Sequence, residues 1–241
     1  MVEQAIYKFP LNSNNEIVLN MPKGVFMPTG TTKVLFKAVL EKIKKPGKTL
    51  DLGCGCGVMG IALQQSGLIT EPLYASDLSE EAVLCVRENA RKYCCPVVVR
   101  SGPLFDPWGN EKFDYIIDDV SGVSEEVAKI SPWFDNVPCD SGLDGTALVV
   151  SVIKEAPKHL NPGGRLFFPI VSFSNPDRII EAAKQSFEHV EFIIREEWPL
   201  PKEMNPHIAT LKKLQEKGCV RFTEKFGLVL WFTDVFVAYN S

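Results

Sequence analysis

The chain has three histidines in 241 residues, no Cys-x2-Cys pair among its seven cysteines, and no apolar run long enough to cross a bilayer. Each scarcity excludes a class of protein. His159, His189 and His207 are scattered, and Cys54-x-Cys56 and Cys94-Cys95 lack the spacing of a tetrahedral zinc site, so no metal is expected. With Cys85, Cys139 and Cys219 these read as reduced thiols in a reducing compartment. The longest apolar runs, LFFPIV and GLVLWF, are far too short to span a membrane. The opening MVEQAIYKFPLNSNNEIVLN has neither the basic start nor the continuous apolar stretch of a signal peptide, which predicts a cytoplasmic protein without membrane contact. A net charge of −4 supplies no global field to hold nucleic acid. The basic run 33–48 (KVLFKAVLEKIKKPGK) is read first as a solvated helix face and second as a surface for RNA or an acidic partner.

What is present is a regular alternation. AIYKF and EIVLN flank the turn sequence NSNN, which predicts a small hairpin. Val34, Leu35, Ala38, Val39 and Ile43 recur at helical spacing until KPGK stops them. Strand and helix then follow in turn: TLDLG, VMGIALQQSG, EPLYASDL, SEEAVLCVRENARKYC, CPVVVRSG and FDYIIDDV, then the helix TALVVSVIKEAPKHL, the strand RLFFPIVSF and the helix NPDRIIEAAKQSF. This order predicts an α/β fold with a doubly wound, mostly parallel sheet. HVEFIIREEWPLP and GLVLWFTDVFVAY, with PHIATLKKLQEKG as a short helix between them, predict an antiparallel pair at the end. Residues 1–30 are expected to form an N-terminal hairpin extension, and residues 31–241 one domain.

The stretch LDLGCGCGVMG, residues 50–60, places four glycines directly after a buried strand. Gly55, Gly57 and Gly60 satisfy the dinucleotide pattern G-x-G-x-x-G, and Asp77 ends the next strand about twenty residues on. Asp51, Gly53, Gly55 and Gly57 equally satisfy D-x-G-x-G-x-G. Charge separates the two. A carboxylate at Asp51 repels a doubly charged pyrophosphate and favours a ligand carrying an ammonium and a sulfonium. S-adenosylmethionine has both charges, plus one carboxylate for the free N–H groups of the loop and helix start. Asp77 suits either ligand, as an acceptor for ribose hydroxyls.

At these residues the sequence resembles the class I S-adenosylmethionine-dependent methyltransferases, from about residue 24 onward. LDLGCGCGVMGIAL and ASDLSEEAVLCVRENA are similar to that family's first two signatures. The resemblance implies a seven-stranded sheet with one antiparallel strand, Asp51, Gly53, Gly55 and Gly57 around the methionine part, Asp77 at the ribose, and Cys54 and Leu78 as further cofactor-binding residues. Within the class, GVFMPTGTTKVL, ENARK and SGLDGTALVVSVIKEAPKHLNPGGRLFFPI resemble the HemK/PrmC glutamine methyltransferases and the small RNA methyltransferase domains, with Pro28 and Thr32 in matching places.

Two departures narrow what that resemblance implies. Where the group has Asn/Asp-Pro-Pro-Tyr/Phe, this chain has Asp119, Val120, Ser121 and Gly122, without the aromatic face that stacks on a planar amide or base. Asp119 is the candidate acceptor-site base or hydrogen-bond acceptor, its bland alternative being the cap of a helix begun by SGVSEEVAK, and Ser121 is a lesser candidate. After the third strand, Pro103 stands where an acidic residue often holds the adenine, leaving the backbone near Leu104, packing by Phe105, or Asp106. The expected function is methyl transfer to a protein, an RNA or a small molecule. A nicotinamide-dependent oxidoreductase and a non-catalytic partner subunit with this fold are the alternatives.

Overall fold

The computed structural model describes residues 5–69, 72–134, 137 and 139–241. The first four residues of the expected extension, and Glu71 of the expected second parallel strand, lie outside them. In chain order the elements are β1 (Ala5–Pro10), β2 (Glu16–Met21), α1 (Gly30–Lys42), β3 (Thr49–Leu52), α2 (Val58–Gln65), β4 (Leu73–Asp77), α3 (Glu80–Lys92), β5 (Val97–Ser101), β6 (Phe113–Asp118), α4 (Glu125–Ile130), α5 (Ala147–His159), β7 (Leu160–Val171), α6 (Pro176–Ser186), β8 (His189–Pro199), α7 (Ile208–Glu216), β9 (Thr223–Lys225) and β10 (Leu228–Tyr239).

The main sheet runs β5-β4-β3-β6-β7-β10-β8, with the short β9 added along the start of β10. β5 to β7 pair in parallel, and β10 is antiparallel to both β7 and β8. β3 lies at the centre and all four of its residues are buried, as a strand covered on both faces by crossover helices requires. Sequence order reverses between β3 and β6, which opens a crevice at the carboxyl ends of these strands.

Local chemistry sets the helix ends. The Ser79 hydroxyl accepts the Ala82 N–H at the start of α3, with Glu80 and Glu81 in the first turn and Arg91 and Lys92 in the last, each sign facing the favourable end of the helix dipole. Asn175 caps α6 ahead of Pro176. α4 starts only at Glu125, after Ser124, so Asp119 does not cap it. β7 begins at Leu160 rather than at Arg165. The Asn161–Gly164 segment is carried as an irregularity where β7 meets β6, and the pairing shifts between Phe113 and Tyr115. β9 has no alternating pattern to announce it, since all three of its residues are exposed.

The β1–β2 hairpin shares its core with the rest of the chain. Phe9, Ile17, Leu19 and Met21 are buried in one apolar cluster with Leu35 of α1 and Ile61 of α2. Asn89 of α3 fixes the dock. Its side-chain oxygen accepts the Asn20 N–H (2.8 Å), and its amide donates to the carbonyls of Asn20 (3.1 Å) and Cys56 (3.0 Å). One wholly buried amide therefore ties β2 to the glycine loop. A second cluster fills the opposite face beneath α5 and α6, and a third, containing Phe173, Met204 and Trp231, sits at the carboxyl edge of the sheet.

Candidate active site

The loop Gly53–Gly57 leaves β3 and turns back into α2. Gly53 (φ +75°) has no room for a side chain: a Cβ there falls 3.0 Å from the Val120 Cα and 2.9 Å from its Cγ1. Gly55 (φ +51°) has space, but its conformation is one that side chains disfavour, and its N–H donates to Asp77 Oδ2 (2.9 Å). Asp77 Oδ1 accepts from Ser79 N–H (3.0 Å). The end of β4 and the glycine loop are therefore held together by one carboxylate.

A cavity of about 610 Å³ lies over this loop. Of the residues expected to bind a cofactor, Pro28, Thr32, Gly53, Cys54, Gly55, Asp77, Leu78, Leu104 and Asp119 line it, and so does Ser121. Asp51 and Gly57 do not. Asp51 lies beneath the floor and is wholly buried; its Oδ2 accepts the Gly60 N–H (2.9 Å) and its Oδ1 has no hydrogen-bond partner among the described residues. Burial lifts this carboxyl to about 7, against the Gly60 hydrogen bond and with the charge of Asp77 adding to the rise. Gly57 serves the turn, in the left-handed conformation immediately before α2. Burial also pushes the Cys54 thiol well up, so it lines the cavity as an apolar group.

Asp118 and Asp119, adjacent at the end of β6, take opposite faces. Asp118 turns inward, wholly buried, with Oδ1 accepting Val120 N–H (3.1 Å), Oδ2 without a partner among the described residues, and burial raising it to about 7. Asp119 turns to the cavity, where its Oδ2 accepts from the Thr32 hydroxyl (3.0 Å). Desolvation pushes Asp119 well above the ordinary carboxylate range, the charge of Asp51 adds to this, and the Thr32 bond opposes it. Leu104 holds a strained left-handed backbone (φ 44°) on the wall beside Pro103. Phe105 is buried, stacked on His159 at 4.4 Å, and Asp106 opens toward a separate shallow cleft beside Lys48 and Arg100; neither lines the main cavity.

The far end of the cavity is walled by residues that carried no assignment in the sequence. Phe26, from the segment after β2, meets Phe134 of the α4–α5 connection at 5.1 Å between ring centroids. Trp133 packs on Trp231 at 5.1 Å, and both line the wall with Val171. Phe26 had a signal, since it belongs to GVFMPTG; Trp231, on the last strand, had none. The basic run does not gather here. α1 places its amino end at the cavity, through Thr31 and Thr32, while Lys37 pairs with Glu196 (3.0 Å), Lys42 with Glu191 (3.3 Å) and Lys48 with Glu111 (2.5 Å).

Comparison with known proteins follows the same lines. Residues 17–119 match the model of the methyltransferase small domain. The release factor glutamine methyltransferase of Geobacter sulfurreducens is 28% identical over 151 residues, which are 59% of this chain and 52% of the relative. The ribosomal protein L11 methyltransferase of Acetivibrio thermocellus is 26% identical over 190 residues, 78% of this chain and 53% of the relative. The chain thus spans about half the length of these curated relatives. Among solved structures, the 16S rRNA N2 G1207 methyltransferase of T. thermophilus, in complex with AdoMet and guanosine, superposes on 99% of this chain and 51% of its own, with a TM-score of 0.63 at 13% identity. With this sheet order the chain has the fold of the T. thermophilus 16S rRNA methyltransferase, and its residues 17–119 are similar to the methyltransferase small domain.

Proposed function

We propose that this protein is a methyltransferase that binds S-adenosylmethionine over the glycine loop and methylates an acceptor held at the aromatic end of the same cavity. One observation carries the reading: a glycine-rich loop bonded to Asp77 lines the cavity, and the wholly buried Asp51 behind it has an Oδ1 without a hydrogen-bond partner among the described residues. That donor set fits this cofactor. The loop backbone receives its carboxylate, Asp51 supplies negative potential for its ammonium and sulfonium from one layer below, and Asp77 accepts from its ribose hydroxyls. Leu78, Leu104 and Cys54 offer the adenine apolar contact, with Pro28 and Thr32 closing the amino side. When bound, the cofactor supplies a methyl group already activated on sulfur. The protein's share is to align the acceptor, exclude water and remove a proton where the nucleophile carries one, with Asp119 as that base and Ser121 as a neighbouring hydrogen-bonding group.

In this reading residues 31–241 are the methyltransferase unit and residues 1–30 an extension docked on it. Acceptors in proteins or RNA are favoured by the relatives, and a small molecule by the enclosed aromatic wall. The seven free thiols favour a reducing compartment, and we place the protein in the cytoplasm. Isothermal titration with S-adenosylhomocysteine and, separately, with oxidised nicotinamide dinucleotide tests the assignment. Binding of the first alone, weakened about tenfold or more by Asp77→Ala, is expected. Absence of binding to S-adenosylhomocysteine overturns it. Binding without any labelled methyl reaching an acceptor in cell extract leaves the non-catalytic alternative.

A further inference from the structure

The acceptor end of the cavity has a chemical character of its own, and the following inference rests on the cofactor reading of the other end. Among the described residues lining the cavity, Lys23 is the only cation, and it is exposed; Asp77, Glu81, Asp119 and Asp140 contribute carboxyl groups. The walls are aromatic side chains: Phe26 and Phe134 close on each other from segments far apart in sequence, and Trp133 with Trp231 forms the side.

We propose that this compartment takes a small apolar amine as the acceptor. An ammonium entering it is attracted by the aromatic walls and by the carboxyl groups of Asp119 and Asp140, while an anion finds no cation among the described lining residues but the exposed Lys23. At about 610 Å³ for cofactor and acceptor together, the cavity admits a small molecule or a single side chain, not a folded surface. RNA recognition draws most of its affinity from Lys and Arg on phosphates, and half of the lysines of the basic run 33–48 are paired to glutamates. An amine also gives Asp119 a task that suits it. Its carboxylate form takes one proton from the bound ammonium nitrogen, which leaves the nitrogen neutral with a free lone pair; the raised proton affinity of this carboxyl favours the transfer.

Isothermal titration of the protein saturated with S-adenosylhomocysteine tests this with four probes: phenethylamine, phenylacetate, an Nα-acetyl lysine amide and a six-residue poly-A RNA. The amine is expected to bind saturably, about tenfold or more tighter than the acid of the same body and tighter than the lysine amide, with no binding of the RNA. Phe134→Leu, which keeps the apolar volume and removes the ring face, is expected to weaken the amine about fivefold at an unchanged melting temperature. Equal binding of amine and acid, or tighter binding of the RNA or the lysine amide, overturns the proposal. If S-adenosylhomocysteine itself does not bind, the cofactor reading fails; the same four titrations on the free protein then decide the amine preference separately.

Discussion

The two ends of the cavity are built by different means. The cofactor end is made of backbone at the tips of adjacent parallel strands, β3, β4 and β6, where glycine conformation and two carboxylates within one short stretch of chain decide the geometry. The acceptor end is made of large side chains brought together from the segment after β2, the α4–α5 connection and the start of β10. Backbone geometry tolerates almost no substitution, whereas a wall of apolar side chains can be repacked. The comparison predicts a fixed cofactor and an adjustable acceptor.

The sharpest way to break the first end is Gly53→Ala. Its left-handed φ and the 3.0 Å approach to the Val120 backbone leave the new methyl nowhere to go, so affinity for S-adenosylhomocysteine is expected to fall about a hundredfold in calorimetric titration. A near-native affinity would show that the loop has freedom not visible in its packing. Asp77→Ala ranks next, at a loss of roughly 1.5–3 kcal/mol, because the change frees the Gly55 N–H as well as removing an acceptor for the ligand.

The buried carboxyls sharpen the contrast through pH. Asp118 is raised to about 7 from an ordinary value of 3.8, so between those limits the folded chain holds a proton that the unfolded chain releases. Stability from this group therefore declines as pH rises from about 4 to about 7 and is level above that. Asp118→Asn should remove this slope and raise stability at pH 8 by roughly 1–3 kcal/mol, read from urea midpoints at pH 5 and 8, without altering affinity for S-adenosylhomocysteine. Asp51 has the same sign in the free protein, but a cationic ligand above it favours the charged form. Affinity should thus weaken a few-fold as pH falls from 8 to 6, with proton release at pH 7 detected by titrating in buffers of different ionisation enthalpy. Asp51→Asn flattens that dependence; if the slope persists in the variant, Asp119 or another group is its source. The smallest effect is expected at Lys37→Ala, which breaks an exposed pair with Glu196 and should cost less than about 0.5 kcal/mol in urea denaturation.

The contrast also separates what sequence patterns revealed from what they did not. The turn after β3 was legible because glycines at Gly53, Gly55 and Gly57 announce positive φ locally, and the alternation of strands and helices along the chain followed from hydrophobic periodicity. Strand alternation requires Asp118 and Asp119 to face opposite ways, and Asp119, expected at the site by its place in the resemblance, is the one that lines the cavity. Asp51 was legible as a charge but not as a layer: its side chain reaches α2 rather than the cavity, which depends on how closely Gly60 approaches β3. The left-handed Leu104 carried no signal, since nothing in its residue type favours that conformation. Trp231 was illegible for a different reason. Its place at the site depends on β10 running antiparallel to β7, a long-range pairing that no local window contains.

That pairing has a consequence for the order in which the molecule is made. β10 is synthesised after β8 yet lies between β7 and β8. Until it inserts, β8 has no neighbour in the sheet and the Trp133 ring has no Trp231 to rest on. A chain emerging from the ribosome thus completes its β3–β6 cradle first and the opposite wall last. An arrested nascent chain ending before residue 228 should retain ligand at the glycine loop while offering the second substrate no enclosure.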